Sequence, residues 1–143
     1  MERAIDILMV EDNAADIRLT QEAFKEGRLP STLHVVRNGI DALAFMRKQE
    51  PFADAPVPDL VLLDLNLPRK DGREVLAELK QDPDLRRIPV VILTTSRAES
   101  DIVKSYDLHA NSYIVKPMEL AEFFAVMRSI EDFWLTTTTL PPE

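Results

Sequence analysis

The run Leu60-Val61-Leu62-Leu63-Asp64 gives the clearest indication of the fold, because its four apolar residues are consecutive and are followed by an acid. A strand with one buried face alternates apolar and polar side chains. A continuous apolar run is typical of a parallel strand that is covered on both faces. A second run of this kind is Val90-Val91-Ile92-Leu93. Both runs therefore predict strands inside a parallel sheet.

Short apolar runs and helical patterns alternate five times along the sequence. We predict strands at residues 5–10, 32–36, 60–65, 90–94 and 112–115. The clearest amphipathic helix carries Leu120, Phe123, Met127, Ile130 and Trp134 on one stripe. Five strand–helix units predict an α/β fold, with a parallel sheet, helices on both faces and right-handed crossovers.

Polar residues at the expected helix starts predict where three of the helices begin. Asn13 is suited to cap the first helix, and Asp71-Gly72 leads into the third. The fourth is expected to begin at Ser100 or Asp101.

Composition and charge exclude several classes of protein. The 143 residues correspond to about one domain. A net charge of −8 argues against nucleic-acid binding and against an acidic membrane surface. Cysteine is absent, which excludes disulfides, thiol catalysis and thiolate metal sites. No secretory signal or membrane-spanning run is visible. We expect a soluble, cytoplasmic protein with one domain at residues 1–135 and a short tail at 136–143.

Functional side chains follow the predicted strands at their carboxyl ends. Glu11 and Asp12 follow the first strand and Asp64 closes the third, while Thr94 and Lys116 end the fourth and fifth. Open α/β sheets bind ligands beyond this edge. If the first and third strands are neighbours, three carboxylates, one hydroxyl and one ammonium meet there.

This set of groups suits phosphoryl transfer. Mg²⁺ prefers oxygen ligands and is commonly held by one or two carboxylates together with phosphate oxygens. An aspartate can attack phosphorus and become an aspartyl phosphate. We assign Asp64 as the nucleophile, Glu11 and Asp12 as the metal site, Lys116 as the counter-charge and Thr94 as a hydrogen-bond donor.

Four motifs at these strand ends resemble the receiver domain of two-component response regulators. They are VEDN at 10–13, LLDLNLP at 62–68, VILTT at 91–95 and YIVKP at 113–117. The resemblance runs from the first strand to the last helix. It implies a flavodoxin-like (βα)5 sheet with strand order 2-1-3-4-5. It also implies a switch that a histidine kinase phosphorylates, and that catalyses only its own phosphorylation and dephosphorylation.

The resemblance also implies roles for further residues. The backbone carbonyl of Asn66 completes the metal site for Mg²⁺, for which Mn²⁺ can substitute. Tyr113 is the switch aromatic that couples to Thr94, and the Lys116-Pro117 bond is cis. The side chains of Asn66 and Ser96 flank the path of the hydrolytic water and set the phosphoryl lifetime.

A narrower resemblance connects the chain to the single-domain regulators of bacterial and cyanobacterial phytochromes. It rests on the loop at 48–58, on LNLPRKDG at 65–72 and on IEDFWL at 130–135. It implies a phytochrome-type kinase as the partner. With no output domain in view, the signal is expected to leave through protein–protein contact.

Two other functions fit these residues less well. A phosphohydrolase with an aspartyl nucleophile typically has a general acid two residues later, where this chain has Asn66. A phosphorylation-independent adaptor of the same fold remains the alternative, although intact Asp64, Thr94 and Lys116 argue against it.

An apolar cluster follows the last predicted helix. Phe133, Trp134 and Leu135 have little chain after them to cover them, so we expect an exposed patch. We predict a homodimer through the fourth helix, fifth strand and fifth helix, extended by this cluster.

Overall fold

Five strands form one parallel sheet in the computed structural model, which describes residues 4–27 and 30–142. The strands are β1 (Ile5–Val10), β2 (Ser31–Val36), β3 (Leu60–Leu63), β4 (Val90–Thr94) and β5 (Ser112–Val115). The helices are α1 (Ala14–Lys25), α2 (Gly39–Met46), α3 (Gly72–Gln81), α4 (Glu99–Asp107) and α5 (Leu120–Asp132). The strand order β2-β1-β3-β4-β5 confirms the predicted architecture.

The continuous apolar strands contribute side chains to two hydrophobic cores, one on each face of the sheet. Successive side chains of a strand point to opposite faces. Leu60 and Leu62 therefore join the core under α1 and α5, while Val61 and Leu63 join the core under α2 and α3. All four are essentially inaccessible to solvent. Burial on both faces is the physical reason why these runs do not alternate.

Helix α4 is the least buried of the five helices. Ser105 is its one buried residue, whereas Val103 and Tyr106 are exposed. The helix contacts β5 at the edge of the sheet. It therefore presents an apolar surface to solvent beside the last strand.

Two of the predicted helix starts are confirmed and one is wrong. The Asn13 side chain accepts a hydrogen bond from the Asp16 N–H, and Asp71 accepts one from the Arg73 N–H. Helix α4 begins earlier than predicted, after Ala98 and without a side-chain cap. The Asp101 carboxylate is engaged elsewhere, because Arg73 binds it through two nitrogens at 2.9 and 2.8 Å.

The end of the chain folds back on its own domain, which corrects the expected exposed cluster. Helix α5 continues into a π-helical turn at Phe133–Thr137. Leu135 is 7% exposed, Trp134 is half-buried, and both pack on the core under α1 and α5. Leu140 packs on the same core. Burial against this core removes apolar surface from water without a second chain, and only Phe133 of the three stays exposed.

No helix within the described ranges combines the length and the apolar character needed to cross a bilayer.

Candidate functional site

The sheet places the predicted functional residues together at its carboxyl edge. Glu11, Asp12 and Asp64 each offer a carboxylate oxygen, and these oxygens lie within 4.8 Å of one another. Glu11 and Asp64 are buried, while Asp12 is exposed. Thr94, at the end of the neighbouring strand β4, is fully buried. The edge is therefore a partly enclosed acidic site, and Asp12 lies on its solvent-exposed side.

Backbone hydrogen bonds carry the sheet pattern past the strand ends and fix these residues. The Glu11 N–H donates to the Val36 carbonyl at 3.0 Å, and the Asp64 N–H donates to the Val10 carbonyl at 3.1 Å. On the other side, the Lys116 N–H donates to the Thr94 carbonyl at 2.7 Å. The side chains of the site consequently project from a rigid framework.

Gly72 allows α3 to begin directly against the phosphoacceptor candidate. A Cβ atom at this position would lie 2.1 Å from the Asp64 carbonyl oxygen, which no side chain permits. The Gly72 N–H also donates to the Leu65 carbonyl at 2.9 Å. The glycine of the Asp71-Gly72 pair is thus required by this close approach.

The Lys116 ammonium lies at the centre of the acidic group. Its Nζ is 2.5 Å from Glu11 Oε1, 2.9 Å from Asp16 Oδ2 and 3.4 Å from Asp64 Oδ2. The lysine side chain is 5% exposed. A buried ammonium among carboxylates offsets their mutual repulsion, and each carboxylate in turn offsets the cost of burying the ammonium.

Burial and pairing shift the proton affinities of this group. Burial raises the pKa of Glu11 to about 7, although its hydrogen bond with Lys116 acts in the opposite direction. Burial lowers the pKa of Lys116, but hydrogen bonds to Glu11 and Asp16 outweigh it, so that this pKa lies above its usual value. The lysine therefore stays charged at neutral pH. A bound divalent cation would favour the ionised form of Glu11.

The donor set of the site fits a hard divalent cation. It offers three carboxylate oxygens and neither imidazole nor thiolate, which is the ligand chemistry of Mg²⁺ and Mn²⁺. The remaining oxygen of Glu11 accepts the Asn13 N–H at 3.2 Å, which orients its carboxylate. Glu11, Asp12 and Asp64 are the residues that would hold the ion.

Comparison with known proteins places this geometry in a family. The model of the response regulator receiver domain matches residues 7–128. The chain belongs to the response regulator receiver family. The match covers all five strands and all five helices except the first two residues of β1 and the last four of α5.

Individual relatives lie among cyanobacterial phytochrome regulators. The response regulator Rcp1 of Synechocystis sp. is 53% identical over 135 residues, covering 94% of this chain and 92% of that protein. The crystal structure of its Mn²⁺-bound form has a TM-score of 0.94 at 52% identity, covering 96% of this chain and 99% of that one. The phosphorylated cyanobacterial phytochrome response regulator RcpA has a TM-score of 0.95 at 54% identity, covering 98% and 100%. The narrower resemblance is therefore confirmed.

The two residues assigned to the switch of this receiver domain lie on either side of the loop after β4. The Ser96 N–H approaches the Thr94 hydroxyl oxygen at 3.4 Å, and the Tyr113 hydroxyl donates to the Ser96 carbonyl at 3.0 Å. Tyr113 is half-buried. The loop thus connects the Thr94 hydroxyl to the Tyr113 side chain on β5.

The same loop is tied to two helices by an ion pair. The Ser96 hydroxyl donates to Asp101 at 2.6 Å, and Asp101 in turn holds Arg73 at the start of α3. The bonds from Arg73 and Ser96 lower the pKa of Asp101 to about 2. The Ser96 side chain is therefore directed to α4 and not to the acidic site.

One implied feature of this receiver domain is wrong. The cis peptide bond in residues 4–27 and 30–142 is Glu50–Pro51, so Lys116–Pro117 is trans. The trans isomer is the intrinsically preferred one for a bond before proline.

Sequence reasoning missed Asp16, which is the second partner of Lys116. Its signal was its place in the first turn of α1, four residues after Asp12, where a carboxylate can face the same strand ends. It also missed the ion pair between Arg73 and Asp101, because these residues are 28 positions apart and no local pattern links them.

Proposed function

We propose that the protein is a phosphorylation-controlled switch that accepts a phosphoryl group on Asp64 from a histidine kinase. The observation that carries the proposal is the setting of this carboxylate. Asp64 ends a fully buried strand, lies among two other metal-capable acids and is 3.4 Å from a buried ammonium. The family of the chain and its similarity to a phytochrome response regulator support a phytochrome-type kinase as the phosphoryl donor.

The chemical step is a displacement at phosphorus. An Asp64 carboxylate oxygen attacks the phosphorus of phosphohistidine, the new O–P bond forms and the P–N bond breaks, with its electron pair leaving on the imidazole. Lys116 offers its ammonium, and Thr94 its hydroxyl, to the phosphoryl oxygens. Positioning and charge neutralisation supply most of the catalysis in such transfers. The protein promotes only its own phosphorylation and dephosphorylation.

The metal in this proposal is Mg²⁺, with Mn²⁺ as a substitute. Glu11, Asp12, Asp64 and the backbone carbonyl of Asn66 would hold it. The ion would neutralise negative charge on the transferring phosphoryl group. The Mn²⁺-bound structure of Rcp1 supports a divalent cation in this family.

Mg²⁺ is expected to stabilise the unphosphorylated protein, because it relieves the repulsion among three clustered carboxylates. At ~10 mM Mg²⁺ and a Kd of ~1 mM, mass action contributes about 1.4 kcal/mol to the free energy of unfolding. Thermal unfolding with and without Mg²⁺ measures the effect. The Asp12→Ala variant should lose the response to Mg²⁺. A parent midpoint that does not respond to Mg²⁺ would contradict the metal site.

The phosphoryl lifetime is expected to depend on Asn66 more than on Ser96. Asn66 is exposed beside Asp64, to whose carboxylate its N–H donates at 3.3 Å, whereas the Ser96 side chain is bonded to Asp101. An Asn66→Met variant should shield the aspartyl phosphate from water and lengthen its half-life about tenfold, which corresponds to about 1.4 kcal/mol of barrier. Ser96→Val should change the half-life less. Decay of isolated phosphoprotein measures both, and equal half-lives in parent and Asn66→Met would refute the assignment.

We further propose that the protein works in the cytoplasm. Residues 1–135 form the receiver domain and residues 136–143 form a tail.

The protein signals by protein–protein contact, and the surface for this contact is the α4–β5–α5 face. Five of the seven exposed large hydrophobic residues in the described ranges belong to α4 or lie at, or within two residues of, an end of α5. These five are Val103, Tyr106, Met118, Leu120 and Phe133.

A homodimer through this face is expected to weaken when its exposed apolar side chains are removed. Val103 and Phe133 are each 52% exposed, and burial of such a side chain contributes ~1.5–3 kcal/mol. A Val103→Ser/Phe133→Ala variant should therefore dimerise at least tenfold more weakly in sedimentation experiments. Val57→Ser changes a similarly exposed residue in the loop before β3 and serves as the control. A parent that stays monomeric at high micromolar concentration would exclude the dimer.

The direct test of the function is incubation with Mg²⁺ and acetyl phosphate, followed by intact mass measurement. We expect a single phosphoryl group that resists mild acid and is released by hydroxylamine, as an acyl phosphate is. An unchanged mass with acetyl phosphate and with several phosphorylated histidine kinases would contradict the proposal.

A further inference from the structure

The Lys116 ammonium is held more closely by two other carboxylates than by the phosphoacceptor candidate. Its distances to Glu11 and Asp16 are 2.5 and 2.9 Å, whereas Asp64 lies at 3.4 Å. An ammonium has three N–H donors, so these three carboxylates occupy all of them. Any further anion that binds Lys116 must displace or lengthen one of these contacts.

Asp16 is fixed on helix α1 by its own backbone bonds. Its N–H donates to the Asn13 side chain at 3.0 Å, and its carbonyl accepts the Thr20 hydroxyl at 2.8 Å. Thr20 is fully buried, which anchors this turn of the helix to the core. The Asp16 side chain is 18% exposed, and its Oδ2 atom contacts the ammonium. The fixed backbone of Asp16 therefore positions its carboxylate on the α1 side of the site.

Asp16 differs from the other two partners of Lys116 because it is not part of the candidate metal site. Glu11 and Asp64 belong to the acidic trio that can share a cation, and Asp16 is outside that trio. A bound cation would draw the carboxylates of Glu11 and Asp64 to itself. The contact between Asp16 and Lys116 is therefore the one that a bound cation would leave in place.

We propose that Asp16 is a positioning residue that holds the Lys116 ammonium toward helix α1 and competes with the phosphoryl group for it. The proposal rests on the function assigned to Asp64 above. In the unphosphorylated protein Asp16 keeps the lysine on the α1 side. Phosphorylation of Asp64 places new anionic oxygens within reach of Lys116, and the contact to Asp16 must lengthen. Asp16 thereby lowers the stability of the phosphorylated state.

Beryllofluoride tests this competition, because it mimics a phosphoryl group on an aspartate without a catalytic step. Its affinity is measured by ¹⁹F NMR titration at saturating Mg²⁺ for the parent, Asp16→Asn and Glu22→Gln. Asn keeps the backbone bonds of residue 16 and removes the charge. Glu22 is an exposed acid on the same helix, so Glu22→Gln is a control for the loss of one negative charge. Urea unfolding of each variant confirms that it folds.

We expect Asp16→Asn to bind beryllofluoride about tenfold more tightly than the parent and Glu22→Gln to bind within twofold of it. The gain should persist in ~1 M KCl, where screening removes long-range charge effects but leaves a close, mostly buried contact. Equal or weaker binding by Asp16→Asn would overturn the competition. A gain that disappears in high salt would also overturn it, since the effect would then be a general field effect. A parent that binds no beryllofluoride would instead contradict the function of Asp64.

Discussion

The Asp64→Asn variant is expected to take up no phosphoryl group from acetyl phosphate or from a histidine kinase. An amide has nearly the shape of a carboxylate but no anionic oxygen to attack phosphorus. The fold should survive, because the Asp64 backbone is fixed by its hydrogen bond to Val10 and by the approach of Gly72. Intact mass after incubation with Mg²⁺ and acetyl phosphate measures uptake, and circular dichroism checks the fold.

Asp54→Asn is the matched control for this variant. Asp54 is an exposed acid in the loop before β3, and its replacement should leave uptake at the parental level. Stable labelling of Asp64→Asn to the same extent as the parent would refute the assignment of the phosphoacceptor.

Replacement of Lys116 by methionine is expected to destabilise the metal-free protein by about 3 kcal/mol. The methionine fills much of the same space but leaves Glu11, which is 1% exposed, without its cationic partner. Removal of one partner from a buried ion pair typically costs 3–5 kcal/mol, and exposed Asp12 gives solvent and counterions some access to the group. Phosphorylation should also fall sharply, because the transferred charge loses its ammonium.

Urea unfolding at neutral pH, with and without Mg²⁺, measures this effect. Mg²⁺ should restore part of the lost stability, since a divalent cation can take over the neutralisation. Lys25→Met removes an exposed lysine and should change the free energy of unfolding by less than about 0.5 kcal/mol. A Lys116→Met variant as stable as the parent without metal would show that the three carboxylates do not need this ammonium.

The sheet and its active edge were predictable because their signals are local. The continuous run Leu60–Leu63 reports burial on both faces, and the two cores of the structure account for it directly. Polar residues at strand ends report the binding edge, since parallel strands bring their carboxyl ends together. The meeting of Glu11, Asp12, Asp64 and Lys116 follows from those two signals and the strand order.

Other features depended on packing between distant elements and had no local signal. The contact between Asp16 and Lys116 depends on how α1 is rotated against the end of β5. The partial burial of Trp134 depends on the course of the chain after α5, which the helical pattern does not specify. The family resemblance implies a cis Lys116–Pro117 bond, and the trans bond in the structure shows that the motif alone does not determine the isomer.

Locating the phosphorylated residue decides whether Asp64 accepts the phosphoryl group. After incubation with Mg²⁺ and acetyl phosphate, borohydride reduction converts an aspartyl phosphate to homoserine, which peptide mass spectrometry can assign to a position. We expect homoserine at residue 64, only after phosphorylation and not in the Asp64→Asn variant. Homoserine at Asp12 or at another acid, with Asp64 intact, would contradict it.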